Sequence, residues 1–401
     1  MAIQTSSIAT VGNLTRYENK YRMTSMRQRT YDQLATRIGS TFEPNGTTVQ
    51  IAWATPLVPR PTTAQGSETI DFEPQTFRDV STTMTLVYIA DGLKAHDLAK
   101  LKSSLNLDYP QIVGQLSGET IDSLARRAAT EGSVVIYGDG SVSARSSLDL
   151  GTAAHRLTAD NFAFVNSMIG HWAHGDDSLF VIVDDFQYSD LLFTSNNKLI
   201  ERAQYTESAG GVIYNFEAAK LAGMRIIRSP WAKAFYGAGA ANASAVSTTI
   251  ASSTTANKAG ARTIEVAANT NIVAGMWLTV GTVQSSTESD ATIITEPVYV
   301  AATPGGTTVT VVGRGPGGGL LYDHAVGATV KNNDTVHCAV FGSKESLIVE
   351  YGEYGRYGKS IAPFRDGNAQ QWETHSFKYF GNYGRHDETK LIRVETSAGK
   401  Q

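Results

Sequence analysis

The apolar and polar positions first trace a long hairpin. "TVQIAWA" (48–54) and "STTMTLVYIADGL" (81–93) alternate with the two-residue period of half-buried strands. Between them lies a polar stretch in which Pro56, Pro59 and Pro61 keep the backbone extended and out of helices. Two long strands joined by such a tip cannot bury both faces alone, so the pattern predicts a partner surface for the hairpin. "YPQIVGQLSGETIDSLARRAATE" (109–131) has a helical period, with Val113, Leu116, Thr120, Leu124 and Ala128 on one expected face. Pro110 suits its first turn, Gly132 ends it, and at 1.5 Å per residue it would run roughly 35 Å.

Residues 157–174 form the next expected helix, with Thr158 as N-cap. "SLFVIVDDF" reads as a buried strand, "QYSDLLFTSNNKLIERA" as a helix and "AGMRIIRSP" as a short strand. Helices and strands mix without clean βαβ alternation, so the fold class is α+β. At Gly237 the texture changes. Residues 237–260 are mostly Gly, Ala, Ser, Thr and Asn around one charge, Lys258, which reads as a flexible linker or exposed loop. Short strands with Gly- and Asn-rich turns follow, the signature of a small all-β domain threaded into a host loop. The expected division is an N-terminal arm (1–48), an extended hairpin (49–94), an α+β body (95–236), linker plus inserted all-β domain (237–335), and a return to the body (336–401).

Composition narrows the functions. The 401 residues are 41% hydrophobic and 18% charged, with a net charge of -4, against the basic excess of a dedicated nucleic-acid binder. A single cysteine, Cys338, excludes an internal disulfide and a Cys-based zinc site; in "VHCAVFG" it reads as buried and structural. The first residues lack the basic-then-apolar pattern of a signal peptide, and no run of 18 apolar residues predicts a membrane span. In the arm, Arg16, Lys20, Arg22, Arg27 and Arg29 interleave with Tyr17, Tyr21 and Tyr31. These five cations are candidate contacts to a genome or a neighbouring subunit; the alternative is an arm docked on its own fold.

Catalytic signals are weak. Gly313, Gly315 and Gly318 fit G-x-G-x-x-G, but no helix opens after them and Pro316 lacks a donor, so a β-turn is expected and no cofactor. His171 and His174, with Asp176 and Asp177 beyond, lack a third ligand at a telling spacing. Asp184 and Asp185 end an apolar strand without a paired nucleophile. Tyr351, Tyr354 and Tyr357, with Arg356 and Lys359, suit either a subunit interface or a loop packed on its own domain.

The order of these parts resembles the major capsid proteins of tailed bacteriophages, with the fold named for phage Hong Kong 97. The likeness rests on the Pro/Thr-rich hairpin 54–93, on "GQLSGETIDSLARRAATEGSVVIYG" as the family's spine helix, and on "SLFVIVDDFQYSDLL" and "NFEAAKLAGMRIIRSPWA" in its peripheral and axial domains. "AVFGSKESLIVEYG", "GKSIAPF" and "ETKLIRVETS" resemble its C-terminal portion. The likeness spans most of residues 45–236 and 336–396. It implies a non-enzymatic subunit of hexamers and pentamers in an icosahedral virion shell around double-stranded DNA, assembled in the host cytoplasm. It also implies that the hairpin lies across a neighbour, with Arg60, Glu68, Asp71, Glu73, Arg78, Tyr354 and Arg356 as candidate contacts. A separate scaffolding protein, a portal and a decoration protein are the implied partners. The prototype's covalent staple uses a Lys on this loop; no Lys lies between Lys20 and Lys94 here, so no such link is expected. The competing reading is a phage or cell-surface binding protein whose all-β insert recognises glycans; a third is an enzyme built on His171 and His174.

Overall fold

The two runs that flank the prolines do pair. Thr48–Ala54 lies antiparallel to Asp79–Thr85, with Thr48 opposite Thr85 and Ala54 opposite Asp79. The computed structural model describes residues 17–26, 29–37, 47–54, 79–96, 108–173, 179–193, 220–221, 223–242, 244–252, 255–281, 295–343, 346–366, 372–386 and 388–398. It divides into two compact units, Met1–Ala125 with Leu347–His386 and Arg126–Ser346 with Asp387–Gln401.

In the first unit the second hairpin strand does not continue as one ribbon. The strand is interrupted at buried Leu86, whose N–H donates to Thr47 O at 2.6 Å. Val87–His96 then pairs along Trp372–Arg385, from Val87 opposite Gly381 to His96 opposite Trp372. Leu347–Tyr351 and Lys359–Asp366 also pair with Trp372–Arg385. The register shifts between Ile361 and Phe364, where Pro363 lacks the N–H a regular ladder needs. Val49, Met84 and Leu86 pack with Ile348 and Phe380, so the base of the hairpin is covered by its own chain.

The long helix spans Tyr109–Thr130. Its buried stripe differs from the expected one. Val113, Gly114, Ser117, Gly118, Ile121, Asp122 and Ala125 are buried, whereas Leu116, Thr120, Leu124 and Ala128 are half-exposed. The face is rotated because small residues let another helix approach closely: a Cβ on Gly114 would lie 2.8 Å from Tyr21 O. A large-apolar period does not register that kind of packing.

The second unit holds a mixed sheet in the order Val135–Tyr137, Leu391–Ser397, Val336–Ser343, Leu179–Val183, Met224–Arg228, Lys220–Leu221. Helices Ala159–Ala173 and Asp185–Phe193 supply Phe162, Val165, Ile169, Tyr188, Leu191 and Leu192 to its core. Thr158 precedes the first of these, its N–H and hydroxyl both donating to Asn161 Oδ1 at 2.8 Å. Val336–Ser343 is buried along its whole length, and Cys338 with it.

The all-β module adds six antiparallel strands, in the order Thr263–Glu265, Thr308–Val312, Thr295–Val300, Trp277–Gly281, Thr329–Lys331, Ser247–Thr249. The last strand lies inside the stretch expected to be linker, and this corrects that expectation. An Ile250–Val266 bridge and the N–H groups of Ala251 and Ala267, donating to Glu265 O and Thr249 O, join the first and last strands into a barrel. Val246 and Ile250 point into its core with Val280, Val298, Val309 and Val330. Closure removes the exposed edges that an open sheet of this size would leave.

Candidate functional site

The first unit builds a polar clamp around the arm. Residues 17–26 are helical. Buried Tyr21 exchanges a hydrogen bond with Ser117 Oγ at 2.7 Å and donates to Tyr357 O at 3.2 Å. Beyond this helix, Asp122 Oδ1 accepts the backbone N–H groups of Thr30 at 3.0 Å and Asp32 at 2.9 Å. Asp32 is itself buried. Its Oδ1 accepts from Arg356 Nε at 2.9 Å and from the Tyr383 hydroxyl at 2.6 Å. Arg356 Nη2 also reaches Ala35 O at 3.1 Å. Arg29, only 2% exposed, donates to Arg356 O at 2.9 Å and Ser25 Oγ at 2.6 Å, and stands 3.4 Å from Asp32 Oδ2.

Burial sets the electrostatics. It pushes the Asp122 carboxyl up to about 6, against the N–H bonds from Asp32, Thr30 and Tyr31 that lower it. Burial likewise raises the Tyr383 hydroxyl well above the ordinary tyrosine range, with the charges of Tyr379 and Asp32 adding to the effect. At the arm's start, the His375 ring is stacked between Tyr17, at 5.9 Å, and Tyr109, at 4.4 Å.

The clamp accounts for several residues singled out in the sequence. Arg29 and Arg356 are engaged inside the chain. Lys20 pairs with Asp108, and exposed Arg22 pairs with Glu18 at 3.0 Å. Tyr357 lies under Arg29, Tyr351 under Arg37 at 4.2 Å, and Tyr354 beside exposed Tyr88 at 6.5 Å. Arg16, Arg27, Arg60, Glu68, Asp71, Glu73 and Arg78 lie outside the described residues, as do His174, Asp176 and Asp177. Asp122, the group that holds the arm, was invisible to sequence reasoning: it occupies a helix position where a carboxylate ordinarily faces water.

A second feature is an open sheet edge. Among the described residues, the strand pairing of Val87–His96 is with Trp372–Arg385, which places it at an edge of this sheet. Val87 and Tyr88 are exposed along it. Such an edge is a template for pairing with another chain.

In the second unit the candidate chemical groups have structural roles. Asp184 caps the helix Asp185–Phe193, with Oδ2 accepting Phe186 N–H at 3.2 Å and lying 3.0 Å from His337 Nδ1. Burial would raise its carboxyl, but His337 and the helix N–H groups outweigh burial and hold it below the usual range. Asp185 pairs with Arg228 at 2.9 Å. In the glycine loop, the N–H groups of Gly313, Gly315, Gly318 and Gly319 donate to Gly318 O, Gly319 O, Gly315 O and Pro316 O. These bonds close the loop on itself as a turn. Among the described residues no group of three or more His, Cys, Asp or Glu side chains could hold a metal, and no helix is long and apolar enough to cross a membrane.

No protein-family model matches the chain, and no curated protein matches it. Solved structures do. The mixed α+β architecture with its β module is a phage capsid fold. The chain aligns with the capsid of Ralstonia phage GP4 at a TM-score of 0.52 and 10% identity, over 92% of this chain and 89% of that one. It aligns with a chain of the cyanophage Pam1 capsid asymmetric unit at 0.52 and 9%, over 89% and 86%, and with the capsid of cyanophage P-SCSP1u at 0.51 and 11%, over 92% and 89%.

Proposed function

We propose that the chain is the shell-forming subunit of a tailed-phage virion, in the Hong Kong 97-like version of the capsid fold. It assembles as hexamers and pentamers around double-stranded DNA in the host cytoplasm, and it performs no catalysis. The observation that carries this reading is the capsid fold over about nine tenths of the chain, joined to a hairpin and a ten-residue strand that, among the described residues, pairs along Trp372–Arg385. The partner that fits both is a second copy. Identical copies meeting through such heterologous edges close into a shell, and many modest contacts make the whole far more stable than any pair.

On this reading the arm clamp fixes the N-terminal segment to its own subunit, so that Arg29 and Arg356 preorganise the body while neighbours meet through the hairpin and edge. A separate scaffolding protein, a portal and a decoration protein are the remaining partners. Sedimentation of the purified chain, with negative-stain imaging, tests the proposal. Closed particles of megadalton mass are expected; a monodisperse small oligomer under every assembly condition would sink it.

A further inference from the structure

Where the barrel joins its host, the second unit carries an open groove of about 380 Å³. Trp277 forms part of its wall, Asn242 and Ser244 stand at its exposed mouth, and Asn333, Asp334 and buried Thr335 complete its polar lining. The volume suits one or two small rings, in the range of small-molecule sites, and domain junctions are where such sites concentrate.

The hydrogen bonds already made decide what the groove can take. Asn242 Nδ2 donates to Asn332 O, and Asn333 Nδ2 donates to Gly239 O at 3.3 Å, which leaves both amide oxygens open. Asp334 Oδ2 accepts Leu150 N–H at 2.9 Å, leaving Oδ1. The hydroxyl of Thr335, 2% exposed, has no hydrogen-bond partner among the described residues, which is costly. The residual set is therefore rich in acceptors. Among the described residues no Lys, Arg or His lines the groove, which disfavours phosphates, sulfates and acidic sugars. Its one carboxylate provides too little charge for a free cation in so wide a space. A ligand with many neutral O–H donors and an apolar ring face matches the acceptors and the indole surface together.

We propose that this groove binds a neutral saccharide of one or two pyranose rings. The site stands on its own geometry, whatever the chain assembles into.

Saturation-transfer NMR on the full-length protein, with lactose, maltose and chitobiose as probes, tests this. At least one probe is expected to saturate in the millimolar range. Exposed Asn242→Ala should weaken it several-fold while leaving the melting temperature unchanged, and Trp277→Phe, which keeps the ring packed on Tyr299, should weaken it further. No saturation by tens of millimolar, equal binding by wild type and both variants, or preferred binding of sialyllactose, inorganic phosphate or Ca²⁺ would overturn the proposal.

Discussion

Asp122 holds Asp32 by its backbone: one carboxylate oxygen of the long helix accepts the Asp32 N–H at 2.9 Å and, alongside it, the Thr30 N–H at 3.0 Å. Both carboxylates are buried, so the arm is fixed by groups that tolerate no loss of partner. Asp122→Ala strands two N–H donors and is expected to cost about 2–4 kcal/mol. Asp122→Asn keeps the acceptor and should cost under about 1 kcal/mol. Urea unfolding of the two variants checks the ordering.

The same carboxyl makes arm docking depend on pH. Its folded-state value of about 6 lies above the ordinary 3.8, so protonation favours the folded form. Stability should rise as pH falls from neutral through 6, reaching its full value below 3.8. Between pH 7.5 and 5 the gain is about 1 kcal/mol. Wild type and Asp122→Asn compared across that range should show a difference in slope of this sign; parallel curves would contradict it.

Arg356 bridges Asp32 to the backbone at Ala35 with a planar fork that a lysine cannot reproduce. Arg356→Ala leaves a buried carboxylate short of its strongest partner and should destabilise by about 3–5 kcal/mol. Arg356→Lys should recover less than half of that loss in a thermal melt.

Gly315 is needed for space rather than for phosphate. A Cβ there would lie 1.8 Å from Leu320 O, so Gly315→Ala must open the barrel's turn. Limited proteolysis should cut this variant near residues 313–320 and spare wild type. ATP or pyrophosphate should protect neither protein.

Because no Lys lies between Lys20 and Lys94, boiled particles should run on a denaturing gel as one band near 43.0 kDa. A ladder of multiples would reveal a covalent staple of another kind.

Hairpin strands and the long helix were legible because their signals are local. Proline placement and two-residue alternation mark the first, and Pro110 and Gly132 bracket the second. What stayed hidden depends on contacts remote in sequence. The helix's buried face follows Gly114, Ser117 and Ala125 rather than Leu116 and Leu124, because the arm helix packs there. Arg29 and Arg356 read as surface cations because their partners, Asp32 and backbone carbonyls, come from opposite ends of the chain. The strand Ser247–Thr249 was masked by composition, although Val246, Thr248 and Ile250 keep a strand's alternation. Its need for a partner, Val266, comes only with barrel closure.

A density map of the assembled particle, read at residues 55–78, addresses the central proposal most directly. Those residues should lie across the body of an adjacent copy, and the outer edge of Val87–His96 should meet a neighbouring chain. A hairpin folded entirely onto its own subunit, with that edge facing solvent in the particle, would contradict it.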